Sequence, residues 1–123
     1  MENKFDIKIK EEINYILKRI DQWKELFFID IKFFIEGWSI FLKEKNPYPR
    51  NIVIFKPYEK ICYTIKSFGV QMTQHNCEKY KEIYSIENIK SQKDLFDELK
   101  GIIFGKDLLN DILKIRRNRT LNK

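Results

Sequence analysis

Over Ile61–Ile65 and Phe68–Met72 apolar side chains recur at every second position, and toward both ends of the chain they recur every third or fourth. A period of two is the alternation of a strand, and a period near 3.6 is one face of a helix. Helical segments at both ends with alternating segments between them do not build βαβ units. The order predicts an α+β fold: N-terminal helices, a central antiparallel sheet of about four strands, and C-terminal helices.

The N-terminal pattern is Ile9, Ile13, Ile16, Leu17, Ile20, Trp23 and Phe27, with Lys10, Glu11, Lys18, Arg19, Asp21 and Lys24 between them. It predicts an amphipathic helix over about residues 8–26. Residues 27–44 satisfy two patterns. The aromatic and β-branched run from Phe27 to Ile35 suits a strand. Phe27, Ile31, Phe34, Ile35, Trp38, Phe41 and Leu42 also fall on one wide helical face, with the charges as a polar stripe. The expected element is helix, with a break near Gly37. Asn46-Pro47-Tyr48-Pro49 ends it, because a residue before proline is pushed out of the helical region.

Four strands are expected beyond this point, over 51–55, 61–65, 68–72 and 82–86. Asn51-Ile52-Val53-Ile54-Phe55 is apolar on both faces, as a central strand is. Short connections make an antiparallel meander the natural pairing. Ser91-Gln92-Lys93-Asp94 reads as a capping box opening a helix with Leu95, Phe96, Leu99, Ile102 and Ile103 on its apolar face. Gly105 is placed to close that helix in a left-handed cap. Leu108, Leu109, Ile112, Leu113 and Ile115 predict a last helix.

The chain has 123 residues, one domain spanning 1–123, long enough to bury about two-thirds of its unfolded surface without a disulfide or a metal. Its two cysteines, Cys62 and Cys77, match no zinc spacing. Met1-Glu2-Asn3-Lys4 does not open a signal peptide. Asp30, Lys32 and Glu36 interrupt the most apolar stretch, Leu26 to Leu42, so a bilayer span is not expected. These features predict a cytoplasmic protein with no membrane partner. The net charge is +6, and the basic tail at 114–123 supplies +5 of it, leaving +1 for the rest.

Little in the sequence has the form of a catalytic set. His75 is the only histidine, in a predicted turn. Cys62 and Cys77 would need a base or an electropositive niche to act as nucleophiles. The four glycines are scattered and form no phosphate loop. No acids stand in a metal-binding context. A non-catalytic binding protein without cofactor or metal is therefore expected. The acids Glu78, Glu82, Glu87, Asp94, Asp97 and Glu98 are the candidate partner-binding residues, able to steer a basic partner or to form a solvated face. Trp23, Trp38, Tyr48 and Tyr58 are anchors if exposed. The alternative is a nucleic-acid-binding accessory role. There Lys114, Arg116, Arg117 and Arg119 would contact phosphates, and Tyr58, Tyr63 and Phe68 would stack bases beside Lys56, Lys60 and Lys66.

Phe28-Ile29-Asp30-Ile31-Lys32-Phe33 with Trp38 after it, strand patterns at Ile52–Phe55 and Ile61–Ile65, and Ser85-Ile86-Glu87-Asn88-Ile89 leading into a helix make a pattern over about half the chain. It resembles bacterial immunity proteins of contact-dependent growth-inhibition systems. The resemblance implies a cytoplasmic inhibitor that blocks one cognate protein toxin by tight binding.

Overall fold

The N-terminal period closes into α1, Lys4–Ile20, whose Ile13, Ile16 and Ile20 are buried. The computed structural model describes residues 4–46, 49–72 and 78–108. After α1 the chain tightens into a single 3-10 turn, Asp21–Trp23, which seats Trp23 in the core. Five strands follow: β1 Phe27–Phe33, β2 Gly37–Glu44, β3 Asn51–Pro57, β4 Tyr63–Met72 and β5 Glu78–Ile89. They pair in chain order as one antiparallel meander, with β3 at its centre as its two-faced apolar pattern predicts. A second helix, α2, Gln92–Ile103, gives the α+β arrangement among the described residues; the last helix expected from Leu109, Ile112, Leu113 and Ile115 lies outside them.

Residues 27–44 are therefore a β-hairpin and not the expected helix. The Phe34 N–H donates to Gly37 O at 2.8 Å and closes the turn, and Tyr58 N–H donates to Glu36 O at 3.0 Å beside it. In the strand setting Trp38, Ile40 and Leu42 all point inward and are fully buried. A helix would have grouped Trp38 with Phe41 and Leu42 and left Ile40 aside. Gly37 is required at the hairpin's return. A Cβ there would lie 2.2 Å from Lys56 O and 2.8 Å from Pro57 Cα, both backbone atoms of β3. The segments at 61–65 and 68–72 merge into the single strand β4, so the hairpin and the merged strand together give five strands where about four were expected.

Two bulges bend β5. Between Ile86 and Ile89 it sets two residues, Glu87 and Asn88, opposite Thr64 alone, and Asn88 takes the left-handed region there (φ 62°), which asparagine tolerates better than most residues. Between Tyr84 and Glu82 the extra residue is Ile83, buried over Gly69.

One face of the sheet holds the core. Ile40, Leu42, Ile52, Ile54, Tyr63, Ile65 and Ile89 pack against α1 and against Leu95, Phe96, Leu99, Ile102 and Ile103 of α2, the apolar set expected from the sequence. Ser91 caps α2, its Oγ accepting from Asp94 N–H at 3.1 Å. Gly105 (φ 101°) ends it in the left-handed region, as expected.

Candidate binding surface

The alternation that sends every second strand residue into the core sends the intervening ones to the opposite face. The register lines them up in rows. Asp30, Phe41, Val53, Lys66 and Ser85 form one, Lys32, Ser39, Phe55 and Thr64 a second, and Phe28, Lys43, Asn51, Phe68 and Glu82 a third. Among the described residues no helix covers this face. Phe41, Val53, Phe55 and Phe68 are half-buried, and Phe28 is 62% exposed. Lysines lie against the rings: Lys32 Nζ is 5.1 Å from the Phe41 centroid, and Lys45 Nζ is 5.0 Å from that of Phe28. Both are cation–π distances. Lys66 pairs with Glu82 at 3.2 Å on the surface.

The face is concave at one end. A cavity of about 500 Å³ is lined by Phe28 of β1, by Lys43 and the turn after β2, and by Tyr80 of β5. In a flat sheet β1 and β5, four strand intervals apart, would stand about 19 Å from each other. The β4–β5 hairpin achieves the approach because it runs past the last β3 pair, Asn51 with Phe68, and bends at the Ile83 bulge.

The other polar clusters hold the fold together. Arg50 is buried, and its guanidinium meets Glu44 Oε1 at 2.7 Å and Asp107 Oδ1 at 2.7 Å. It also donates to the carbonyls of Ile102 at 2.8 Å and Ile103 at 3.3 Å at the end of α2, where the Ile102 carbonyl accepts from Gly105 N–H as well, at 2.9 Å. Asp107, fully buried, also accepts from Ser67 Oγ and from Leu108 N–H at 2.8 Å. Burial works against the Arg50 charge, but hydrogen bonding to Glu44 and the charge of Asp107 outweigh it and hold the guanidinium above its ordinary pKa. The second cluster joins α1 to the sheet. Tyr63 Oη donates to Glu12 Oε1 at 2.6 Å, and Lys56 Nζ lies 3.5 Å from Glu12 Oε2. Burial first, then the bond to Glu12, pushes the Tyr63 phenol above its usual range.

The structure scatters the acids singled out in the sequence. Glu82 lies on the open face against Lys66, and Glu87 is exposed at the second bulge of β5. Asp94, Asp97 and Glu98 belong to α2 in the other layer, where Asp94 sits in the first turn and Glu98 pairs with Lys106 at 3.0 Å. The side chain of Glu78, together with His75, Cys77, Tyr48 and the tail residues Lys114, Arg116, Arg117 and Arg119, lies outside the described residues. Trp23 and Trp38 are core residues and do not serve as surface anchors. Tyr63 is buried and Tyr58 packs against the core, so of the three expected stacking rings only Phe68 reaches the open face. Cys62 is a half-buried free thiol at the entry to β4. Phe28, Phe41, Phe55, Lys32 and Lys43 are not among the binding residues expected from the sequence. Their signal is the complement of the core alternation, visible only once 27–44 is read as two strands.

Among the described residues no three histidine, cysteine or acidic side chains gather in a metal-binding group. None of the described helices is long and apolar enough to cross a membrane. No protein-family model, curated protein or solved structure matches the chain.

Proposed function

We propose that this chain acts by protein–protein binding, as an inhibitor of immunity or antitoxin type that sets the open face of its sheet against a cognate protein toxin. The observation that carries the reading is the composition of that face. Phe28, Phe41, Val53, Phe55 and Phe68 supply rigid apolar contact, and the lysines Lys32, Lys43, Lys45 and Lys66 are interspersed with the acids Asp30 and Glu82. Aromatic anchors ringed by mixed charge suit a protein surface. A face with only a small excess of lysines over acids gains little from counterion release on a polyanion.

The test is co-expression with the product of the adjacent reading frame, followed by affinity measurement and a growth-protection assay. Phe41→Ala is expected to weaken binding by tenfold or more, with the fold retained by circular dichroism. Absence of any complex, or unchanged affinity in Phe41→Ala and Phe55→Ala alike, removes the proposal.

A second reading draws on the lysines seated beside Phe28 and Phe41, an arrangement also used to stack bases and track a phosphate backbone. On that reading affinity for single-stranded RNA falls steeply with salt, and deletion of residues 114–123 flattens the slope. A flat slope in the intact chain rejects it.

A further inference from the structure

Among the described residues β1 is an edge strand, bonded on one side only, to β2. The hydrogen bonds that bracket the hairpin give the phase of that edge. Phe34 N–H donates to Gly37 O, and Lys45 N–H donates to Leu26 O, so the even-numbered residues of this segment turn their backbone groups toward β2. By the alternation of an antiparallel ladder, Ile29, Ile31 and Phe33 turn theirs outward, to the free edge. The Ile31 N–H is met there by the neighbouring Asp30 Oδ1 at 2.9 Å, within its own chain.

The sequence along this edge is self-complementary. Laid antiparallel against a second copy and centred on Ile31, Phe27-Phe28-Ile29-Asp30-Ile31-Lys32-Phe33-Phe34-Ile35 sets Asp30 opposite Lys32 in both directions. It sets Phe28 opposite Phe34, Ile29 opposite Phe33, and Ile31 opposite itself. Each partner lies on the same face of the sheet as its mate, because the paired residues share parity. The side chains available for these pairs are unusually exposed for their type: Phe28 62%, Phe33 60%, Phe34 47% and Ile35 99%. Exposed apolar residues clustered on an unprotected strand edge mark a pairing site. α2 lies against β4 and β5, and α1 meets the sheet at β3 and β4, where Glu12 contacts Lys56 and Tyr63.

We propose that two copies of this chain associate through their β1 edges, antiparallel and centred on Ile31, into a two-fold dimer with one continuous sheet. Ile29, Ile31 and Phe33 supply about six backbone hydrogen bonds across the seam. Asp30 gives up its contact with the Ile31 N–H and turns to Lys32 of the second copy. The axis maps the patch on itself, as a closed isologous interface requires. This inference does not rest on the inhibitor reading, and its first readout is oligomeric state.

The experiment is sedimentation equilibrium on the full chain over a wide concentration range, with three variants. Asp30→Lys places two lysine pairs across the seam, and Lys32→Asp places two acid pairs. Each is expected to weaken dimerisation by on the order of tenfold or more. The double variant Asp30→Lys/Lys32→Asp restores both opposite-charge pairs in the same register and is expected to return the dimer. Thermal melts establish that each variant is folded. As a second measurement, hydrogen exchange is expected to show the Ile29, Ile31 and Phe33 amides protected in the wild-type dimer and fast in the single variants. A monomer at every concentration, single variants as dimeric as wild type, or a double variant that stays monomeric would each overturn the proposal.

Discussion

Asp107→Ala is the substitution whose cost the structure specifies most closely. The carboxylate is fully buried and holds three groups: the Arg50 guanidinium at 2.7 Å, the Leu108 N–H at 2.8 Å, and the Ser67 hydroxyl. Removing one partner from a buried ion pair typically costs about 3–5 kcal/mol, because the other charge stays buried. Here Arg50 keeps Glu44 at 2.7 Å and the Ile102 carbonyl at 2.8 Å, so its charge is not orphaned and the low end applies. The Ser67 hydroxyl, 0% exposed at residue level, loses its acceptor, which adds about 1 kcal/mol or more. The expected loss is about 3–4 kcal/mol, or a fall in Tm of roughly 10–15 °C for a domain of this size. A chain of 123 residues has on the order of 6–18 kcal/mol to lose, so the variant still folds. Urea denaturation reads the loss as a lower midpoint at unchanged slope. Glu98→Ala is the control. Its bond to Lys106 is 3.0 Å long, but the two side chains are 27% and 49% exposed, and such a pair is worth about 0–1 kcal/mol. If Asp107→Ala costs no more than Glu98→Ala, the buried network does not hold α2 to the sheet as argued.

Gly37→Ala is expected to cost about 1–3 kcal/mol, read by denaturant titration, because the new Cβ collides with the β3 backbone and not with a side chain that can turn away. Asn88→Gly is expected to be neutral or mildly stabilising and Asn88→Val to cost about 1–2 kcal/mol, since a β-branched residue resists the left-handed backbone at the bulge. Ser91→Ala removes the acceptor for Asp94 N–H and is expected to cost about 1 kcal/mol in a thermal melt. Tyr63 predicts an alkaline limit. Its folded pKa lies above the ordinary value of 10.0, so folding favours the neutral phenol; that contribution is complete below pH 10 and is lost as the pH rises further. Ultraviolet titration should find a tyrosine that ionises only with unfolding, and Tyr63→Phe should abolish it; a wild-type chain with every tyrosine titrating near pH 10 while folded would contradict the buried Glu12 contact.

The helices were legible because each shows one period, and the strand at 51–55 because its apolar run is short and bounded by turn residues. The α1 stripe at Ile13, Ile16 and Ile20 reads only as helix, Ser91 and Gly105 mark the ends of α2, and Asn51–Phe55 reads as a central strand. Residues 27–44 defeated the same reasoning because so many of their positions are apolar. A segment rich on both faces satisfies a period of two and a period of 3.6 at once, and local preference cannot choose between them. The choice is made across the sheet, where β3 pairs with β2 along its length and the inward row of Trp38, Ile40 and Leu42 fills the core. The binding surface inherits that ambiguity, since Phe28, Lys32, Phe41 and Lys43 share a face only if both segments are strands.

By itself, the sequence determined the order of periods, the helix caps, the strand character of Asn51–Phe55 and the location of the basic charge, all of which are written in neighbouring residues. Tertiary structure decided which face of the sheet stays open, how the sheet curls, and that Arg50 and Asp107 meet. The last two stand 57 positions apart with no local sign of each other. A buried charge pair, like a strand's choice of partner, depends on which surfaces the whole chain brings out of water together, and no window of adjacent residues contains that information.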